Sequence, residues 1–151
     1  MNDIKWNGYL WADKKASQSS VESFERAHSI NYPQDYKSVV KLHQGQVPVP
    51  SEIKVRDGIT AETCLMHFEK EDIKNRSYSV EWNFNNLVED VGGGVIPFAE
   101  ALGGSVFAFD FRKSKENPTI IFINSDFEGE DAIIPVVNNF TEFMSRLYEP
   151  E

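Results

Sequence analysis

The amino-acid sequence predicts an α+β fold: an antiparallel sheet with N-terminal helices and a C-terminal helix packed on it. Three observations lead to this prediction. Apolar residues recur at helical spacing in the first third of the chain, short apolar runs separated by turn residues fill the last third, and one further helical pattern closes the sequence. Because no helix separates those apolar runs, an antiparallel meander is expected, and a doubly wound parallel sheet is not.

The first third is predicted to hold two short helices. Ser19 or Ser20 can cap the first helix. Pro33 suits the first position of the second helix, where its missing N–H is not needed, and Gly45 is expected to end that helix. The residues expected to face the core are Val21, Phe24 and His28 in the first helix, and Tyr36, Val39, Val40 and His43 in the second.

The middle of the chain is interrupted by prolines and asparagines. Residues 46–58 are expected to form a loop with a short strand at 53–55, because two prolines and a glycine break the pattern. A strand is expected at 63–68, and a helix at 78–88. The residues expected to lie in register on that helix are Tyr78, Trp82 and Leu87.

The last third predicts a sheet followed by a helix. Phe107, Phe109 and Phe111 alternate onto one face of a strand, which follows a corner at Gly103 and Gly104. The strands are expected at 95–98, 105–111, 119–123 and 132–137, the last of them toward an edge because it contains Pro135. Asn138 or Asn139 can cap the final helix, whose buried stripe is Phe140, Phe143, Met144 and Leu147.

Length and composition predict one globular domain that spans residues 1–151. The chain is 40% hydrophobic and 13% aromatic, which is enough for a core that buries about 70% of the unfolded surface. Cys64 is the single cysteine, so no internal disulfide can form and a small buried apolar role is expected. Neither a signal-peptide pattern nor an apolar run near the roughly 20 residues of a membrane span is present, so a cytoplasmic location is expected.

The net charge of −9 narrows the class of partner. Duplex nucleic acid and an anionic membrane surface would both be repelled, because their binding needs Lys and Arg to neutralise phosphate. A basic protein would instead be steered toward this chain by long-range attraction. The same charge also serves solubility, so by itself it does not establish a partner.

The residue patterns typical of enzymes and of metal or cofactor sites are not found. Glycines 92–94 lead into a strand without a following lysine, unlike a phosphate-binding loop. The three histidines, His28, His43 and His67, lack the spacing of metal ligands. Asp110 ends a strand, where a turn cap is expected more than a catalytic acid. A non-enzymatic protein without a cofactor or metal is therefore expected.

An acidic loop, residues 126–131, is the candidate partner-binding surface. Its aromatic residue, Phe127, stands among carboxylates, which is the pattern of an apolar anchor with a charged rim. The spacing differs from that of a calcium-binding loop. The candidate contact residues are Asp126, Phe127, Glu128, Glu130 and Asp131, joined by Glu69, Glu71 and Asp72.

Several motifs together resemble the SUKH superfamily, which includes bacterial immunity proteins and fungal regulators of cell-wall synthesis (Smi/Knr-type proteins). The first motif runs from Tyr32-Pro33 through Tyr36 to Gly45. The second is Ile96-Pro97-Phe98-Ala99, followed by Gly103-Gly104 and a strand that ends at Asp110. The third is an apolar strand after Pro118, the acidic loop, and the helix that begins at Asn139-Phe140.

The resemblance implies a fold and a class of function. It implies an α+β domain without enzymatic activity that acts by binding another protein. Bacterial members neutralise toxins, often nucleases, so an immunity protein with a basic toxin domain as partner is expected. The alternative is an intracellular regulator or scaffold of the fungal type. The oligomeric state is left open at this point.

Overall fold

A computed structural model describes residues 4–10, 18–69 and 71–149 of the chain. Within these ranges the chain forms nine strands and four α-helices, which confirms the α+β prediction. In chain order they are β1 (Lys5–Gly8), α1 (Gln18–His28), α2 (Gln34–His43), β2 (Gln46–Val49), β3 (Glu52–Arg56), β4 (Ile59–Glu62), β5 (Cys64–Leu65), α3 (Val80–Val91), β6 (Val95–Glu100), β7 (Val106–Asp110), β8 (Thr119–Ile123), β9 (Ile133–Val137) and α4 (Phe140–Ser145).

The main sheet is an antiparallel meander. Its five strands lie in the order β5-β6-β7-β8-β9, so strands that are consecutive in the chain are also neighbours in the sheet. β1 pairs with β2, and β3 pairs with β4, as separate two-stranded ribbons. α3 packs along β6, and α4 packs against β8 and β9.

An aromatic layer joins the sheet to α2 and α4. Phe98 on β6 stacks on Phe109 of β7, with ring centroids 4.5 Å apart. Tyr36 of α2 reaches Phe109 at 5.1 Å, and Phe143 of α4 reaches Phe98 at 5.3 Å. All four side chains are fully buried. Edge-to-face contacts at these distances add about 0.5–1.5 kcal/mol per pair to the burial of the rings.

The helices agree with the predicted faces, with two corrections at their N-terminal ends. α1 begins at Gln18, so the prediction that Ser19 or Ser20 caps it is wrong; both lie inside its first turn, and the capping position lies outside the described residues. Pro33 takes the capping position of α2 rather than its first helical position, and its carbonyl accepts from the Lys37 N–H at 3.1 Å. The final helix is capped by Asn139, whose Oδ1 accepts from Glu142 N–H at 2.8 Å.

The middle of the chain contains more strand than expected. The prediction of a loop over residues 46–58 is wrong for 46–49, because Gln46–Val49 pairs with β1 and places Pro48 opposite Trp6. The short strand predicted at 53–55 is present within β3. A strand in a two-stranded ribbon leaves one side unpaired, so a proline is tolerated there. β3 and β4 form a hairpin around Asp57-Gly58 in which Gly58 has φ +82°, a conformation that suits glycine.

The predicted strand at 63–68 and helix at 78–88 both exist with different bounds. The strand is shortened to Cys64–Leu65. The helix begins after Ser79, whose Oγ accepts from the Trp82 N–H at 3.1 Å, and it runs to Val91. Val80 and Phe84 therefore set the buried face, while Trp82 is 42% exposed. The prediction that Trp82 is in register with the core is wrong, because the helix buries a neighbouring face.

The Tyr36→Phe variant tests the aromatic layer. Within the described ranges, the Tyr36 hydroxyl is buried without a hydrogen-bond partner, so its removal eliminates an unsatisfied polar group and keeps the ring contacts. We expect the free energy of unfolding to stay the same or to rise by up to about 1 kcal/mol. Tyr36→Ala should lose about 3–5 kcal/mol. Urea denaturation checks both variants, and a clear loss of stability in Tyr36→Phe would mean that the hydroxyl has a partner.

Candidate functional site

The acidic loop connects β8 to β9 and holds Phe127 outward. Asn124 forms the turn at its start: its Oδ1 accepts from the Asp126 N–H at 3.0 Å, and its carbonyl accepts from the Phe127 N–H at 3.1 Å. Phe127 is 53% exposed. A short 3-10 turn, Gly129–Ala132, returns the chain to the sheet and buries Ala132. The four carboxylate residues of the loop are exposed: Asp126, Glu128, Glu130 and Asp131.

Arg112 anchors the acidic loop to β7. Its Nε and Nη2 donate to the two carboxylate oxygens of Asp110 at 2.9 and 3.0 Å, and its Nη1 donates to Glu130 Oε1 at 2.7 Å. Asp110 lies on the face of β7 opposite Phe107 and Phe109, so the loop is tied to that side of the sheet. One carboxylate of the loop, Glu130, thus already has a cation beside it.

The electrostatics of this anchor follow from its geometry. Burial alone would raise the pKa of Asp110, but the hydrogen bonds and the charge of Arg112 outweigh burial and hold that pKa below its ordinary value. Asp110 Oδ1 also accepts from the Arg112 backbone N–H at 3.0 Å, so it caps the following turn as expected. Gly94 makes room for this arrangement, since a Cβ there would stand 2.9 Å from Arg112 Cγ.

A second anchor connects the acidic loop to the C-terminal end of α3. Asp90 Oδ2 accepts from the Gly129 N–H at 2.9 Å. Gly129 has φ +57°, a left-handed conformation that suits glycine. Glu89 and Asp90 are both exposed at this helix end. The loop carboxylates and these two residues therefore form one strongly acidic region around Phe127.

The other candidate residues lie at the opposite end of α3. His67 is fully buried, and its ring holds their segment: Nδ1 accepts from the Glu69 N–H at 3.0 Å, and Nε2 lies 2.7 Å from the Asn75 carbonyl oxygen. Asp72 accepts from the Asn75 N–H at 3.1 Å and from its Nδ2 at 3.0 Å. α3, whose twelve residues are about 18 Å long, lies between this segment and the acidic loop.

The charge around Glu69, Glu71 and Asp72 is balanced in the sequence. Three basic residues stand in the same short stretch: Lys70, Lys74 and Arg76. The acidic loop has no base within its six residues. The structure therefore places the eight candidate residues in two groups at opposite ends of α3, and the larger excess of negative charge lies at the acidic loop.

Among the described residues, the remaining polar groups show neither an ionised thiol nor a cluster of metal ligands. Burial, with the nearby Glu100, raises the pKa of the Cys64 thiol to about 12, so it stays protonated at neutral pH. In the part of the chain that the structure describes, no group of three or more His, Cys, Asp or Glu side chains is arranged to hold a metal ion. Among the same residues, no helix has the length and apolar character needed to cross a membrane.

Sequence reasoning missed several residues of this region. Arg112 and Asp90 fix the acidic loop through contacts 18 and 39 residues apart in the chain, which no local pattern indicates. The helical spacing of Tyr78 and Trp82 predicts a buried Trp82, whereas the structure exposes it. The sequence of α3 does contain a signal for an acidic surface next to the loop: it carries Glu81, Glu89 and Asp90 and has no basic residue.

Comparison with known proteins agrees with the fold. The family model described as the SMI1 / KNR4 family (SUKH-1) matches residues 15–146. The chain belongs to this family. The SUKH-1 chain is also similar to the uncharacterized protein YobM of Bacillus subtilis (strain 168), at 29% identity over 137 residues, which are 90% of this chain and 67% of that protein. Members of this family are generally non-enzymatic, and membership suggests a role in protein–protein interaction.

The Arg112→Ala variant tests the first anchor. It leaves the nearly buried carboxylate of Asp110 without its cation, so we expect a loss of about 1–3 kcal/mol in the free energy of unfolding at pH 7. Because the pKa of Asp110 is lowered in the folded protein, this contribution is present above the ordinary Asp pKa and is lost as pH falls through the lowered one. The stability difference between wild type and Arg112→Ala should therefore narrow below about pH 4.

The matched control is Arg112→Lys, measured by the same urea titrations across pH. Lysine keeps the positive charge but cannot reproduce the paired hydrogen bonds to Asp110, so its loss should be smaller than that of alanine. An Arg112→Ala protein as stable as wild type at pH 7 would contradict the anchoring role.

Glu100 provides a pH test at the N-terminal end of α3. Burial raises the pKa of Glu100 to about 7, although a hydrogen bond with the Asn83 side chain partly opposes the shift. The folded protein therefore binds the Glu100 proton more tightly than the unfolded chain does. The resulting gain in the free energy of unfolding is present below the unfolded pKa, near 4.5, and is lost as pH rises through 7. Between pH 4 and pH 8, Glu100→Gln should gain about 1–2 kcal/mol relative to wild type, the partial exposure of Glu100 being taken into account.

Thermal and urea unfolding at several pH values measure this difference. The control is Glu62→Gln, which alters an exposed glutamate of the β3–β4 hairpin. A pH profile for Glu100→Gln that runs parallel to the wild-type profile would contradict the raised pKa.

Proposed function

We propose that this protein is a non-enzymatic immunity protein that neutralises a cognate toxin by binding a basic domain of it through the acidic loop. The observation that carries the proposal is the half-exposed Phe127, surrounded by carboxylates on a loop with two anchors in the fold. The proposal includes that residues 1–151 act as a single domain in the cytoplasm, where a toxin such as a nuclease would act.

An exposed aromatic ring within a charged rim suits tight and fast protein binding. The Phe127 ring supplies apolar area that loses water when a partner covers it, while the carboxylates remain at the edge and attract basic side chains. A net charge of −9 adds long-range steering of a basic partner. The attraction should mainly raise the rate of association, which salt then lowers.

The anchors reduce the entropy cost of binding. Asp90 holds the backbone of the acidic loop at Gly129, and Arg112 holds the loop through the side chain of Glu130. Asn124 fixes the first turn of the loop, so little order has to be imposed when the partner arrives. Glu130 is paired with Arg112, which leaves Asp126, Glu128 and Asp131 as the carboxylates that we assign to direct contact. Glu69, Glu71 and Asp72 are proposed to lie toward the outer rim of the same interface.

A regulatory or scaffold protein of the fungal type is the alternative. It would use the same fold to bind a resident cellular protein. The two functions differ in what the partner does to cells when it is expressed without this chain. A toxin arrests growth when it is expressed alone and is harmless when the SUKH-1 chain is expressed with it. A resident partner has no such effect.

The test compares the charge of the acidic loop with the same charge elsewhere. The loop variant Asp126→Asn/Glu128→Gln/Asp131→Asn leaves Glu130 and its anchor intact. The control Asp57→Asn/Glu62→Gln/Glu149→Gln removes three exposed carboxylates from the β3–β4 hairpin and the C-terminal end. Tagged wild type, loop variant and control are used to capture partners from native cells, and the captured protein is then purified and expressed alone.

We expect wild type and control to bind one basic protein whose expression alone arrests growth. The loop variant should associate with it about tenfold or more slowly at low salt and show a weaker dependence of association rate on salt. Equal association rates for the loop variant and the control would remove the acidic loop from the interface. A captured partner without toxicity would favour the regulatory function.

A further inference from the structure

The exposed face of α3 has a composition that its role in the fold does not require. The helix buries Val80, Asn83, Phe84 and Val91 and turns a second face to solvent. That outer face consists of Glu81, Trp82, Asn85, Asn86, Glu89 and Asp90. It holds a large aromatic ring, amides and acids, and it has no basic residue to pair with the acids along the helix.

Two features of this face work against helix stability. Glu89 and Asp90 stand in the last turn, where the helix dipole disfavours negative charge. Asn85 and Asn86 are weak helix formers at positions where packing does not demand them. Departures from local preference of this kind concentrate at functional surfaces.

The face is continuous with the acidic loop. Trp82, Asn86 and Glu89 follow one another at spacings of four and three residues, so they form a row along the helix. The row ends beside Asp90, which holds Gly129 of the acidic loop at 2.9 Å. Trp82 and Asp90 are eight residues apart, which is about 12 Å of helix rise, well within the span of one ordinary protein interface.

We propose that the outer face of α3, with Trp82 as its anchor, extends the acidic loop into one docking surface for a folded basic protein. This inference rests on the proposed function and deepens it by adding a second aromatic anchor. The charge selects the occupant: a second copy of this chain would bring acid against acid, whereas arginine can both pair with Glu81 or Glu89 and stack on the indole of Trp82.

The kinetic test uses Trp82→Ala, Trp82→Phe and the control Leu42→Ala against the purified partner from the capture experiment. Leu42 is 45% exposed, close to the exposure of Trp82, but lies on α2. We expect Trp82→Ala to dissociate at least about tenfold faster with a nearly unchanged association rate, Trp82→Phe to lose less, and Leu42→Ala to match wild type. Circular dichroism should show the same helix content in all four proteins.

Two outcomes separate this inference from the proposed function. If the loop variant associates slowly while Trp82→Ala dissociates like wild type, the α3 surface is overturned and the proposed function stands. If neither change affects binding, the proposed function itself fails. When Trp82→Ala and Phe127→Ala are combined, their effects on the dissociation constant should multiply, because distant sites in one interface act nearly independently.

A peptide of defined sequence allows the α3 surface to be tested without a partner captured from native cells. A capped hexa-arginine peptide is titrated into the labelled protein and followed by NMR, with hexa-lysine for comparison. We expect the Trp82 indole N–H and the amides of the acidic loop to shift on one saturable curve, with amides near Leu42 unmoved and a smaller indole shift for lysine. Loop shifts without an indole shift would overturn the inference, as would shifts spread over the whole surface.

Discussion

The stacked pair of Phe98 and Phe109 is the contact on which the rest of the structure depends. The pair joins β6 to β7, and both helices that cover this face reach it, α2 through Tyr36 and α4 through Phe143. Segments more than 100 residues apart in the chain thus meet at one buried point. The next residue after Phe109 is Asp110, which points to the other face of β7 and holds Arg112. One strand therefore fixes the core on one side and the acidic loop on the other.

Several locally unfavourable features of the protein lie near the candidate surface. α3 ends in two acids against its dipole, and Asp110 is a buried carboxylate whose pKa is held below its ordinary value by Arg112. The Tyr32 and Tyr36 hydroxyls form a different kind of exception, because they are buried without partners within the described ranges. The surface features are compensated by contacts that fix the acidic loop, whereas the two hydroxyls are tolerated for the aromatic contacts their rings make.

Sequence patterns predicted those helices and strands whose apolar residues recur at regular helical or strand spacing. α2, β7, β8, β9 and α4 agree with expectation, because each carries an uninterrupted apolar stripe. Two features were not predicted: the pairing of β1 with β2, and the exposure of Trp82 to solvent. The first depends on a partner strand whose paired residues lie 38 (Gly8 with Gln46) to 44 (Lys5 with Val49) positions further along the chain. The second depends on the cap at Ser79, which selects between two helix faces that both carry large side chains. The acidic loop was visible as composition, but Arg112 and Asp90, which hold it, are known only from the fold.

The acidic loop separates the groups that hold its shape from the groups that a partner would touch. The loop is held by Asn124, by Asp90 and, through Glu130, by Arg112. None of these contacts uses the side chain of Asp126, Phe127 or Glu128. Exchanging those exposed side chains should therefore leave the fold intact while it alters the charge and shape presented to a partner. A binding protein that must follow changes in its partner benefits from such a division, because new contact residues do not have to be reconciled with the core. The same division explains why family motifs such as Tyr32-Pro33 and Gly103-Gly104 indicate the fold and not the partner.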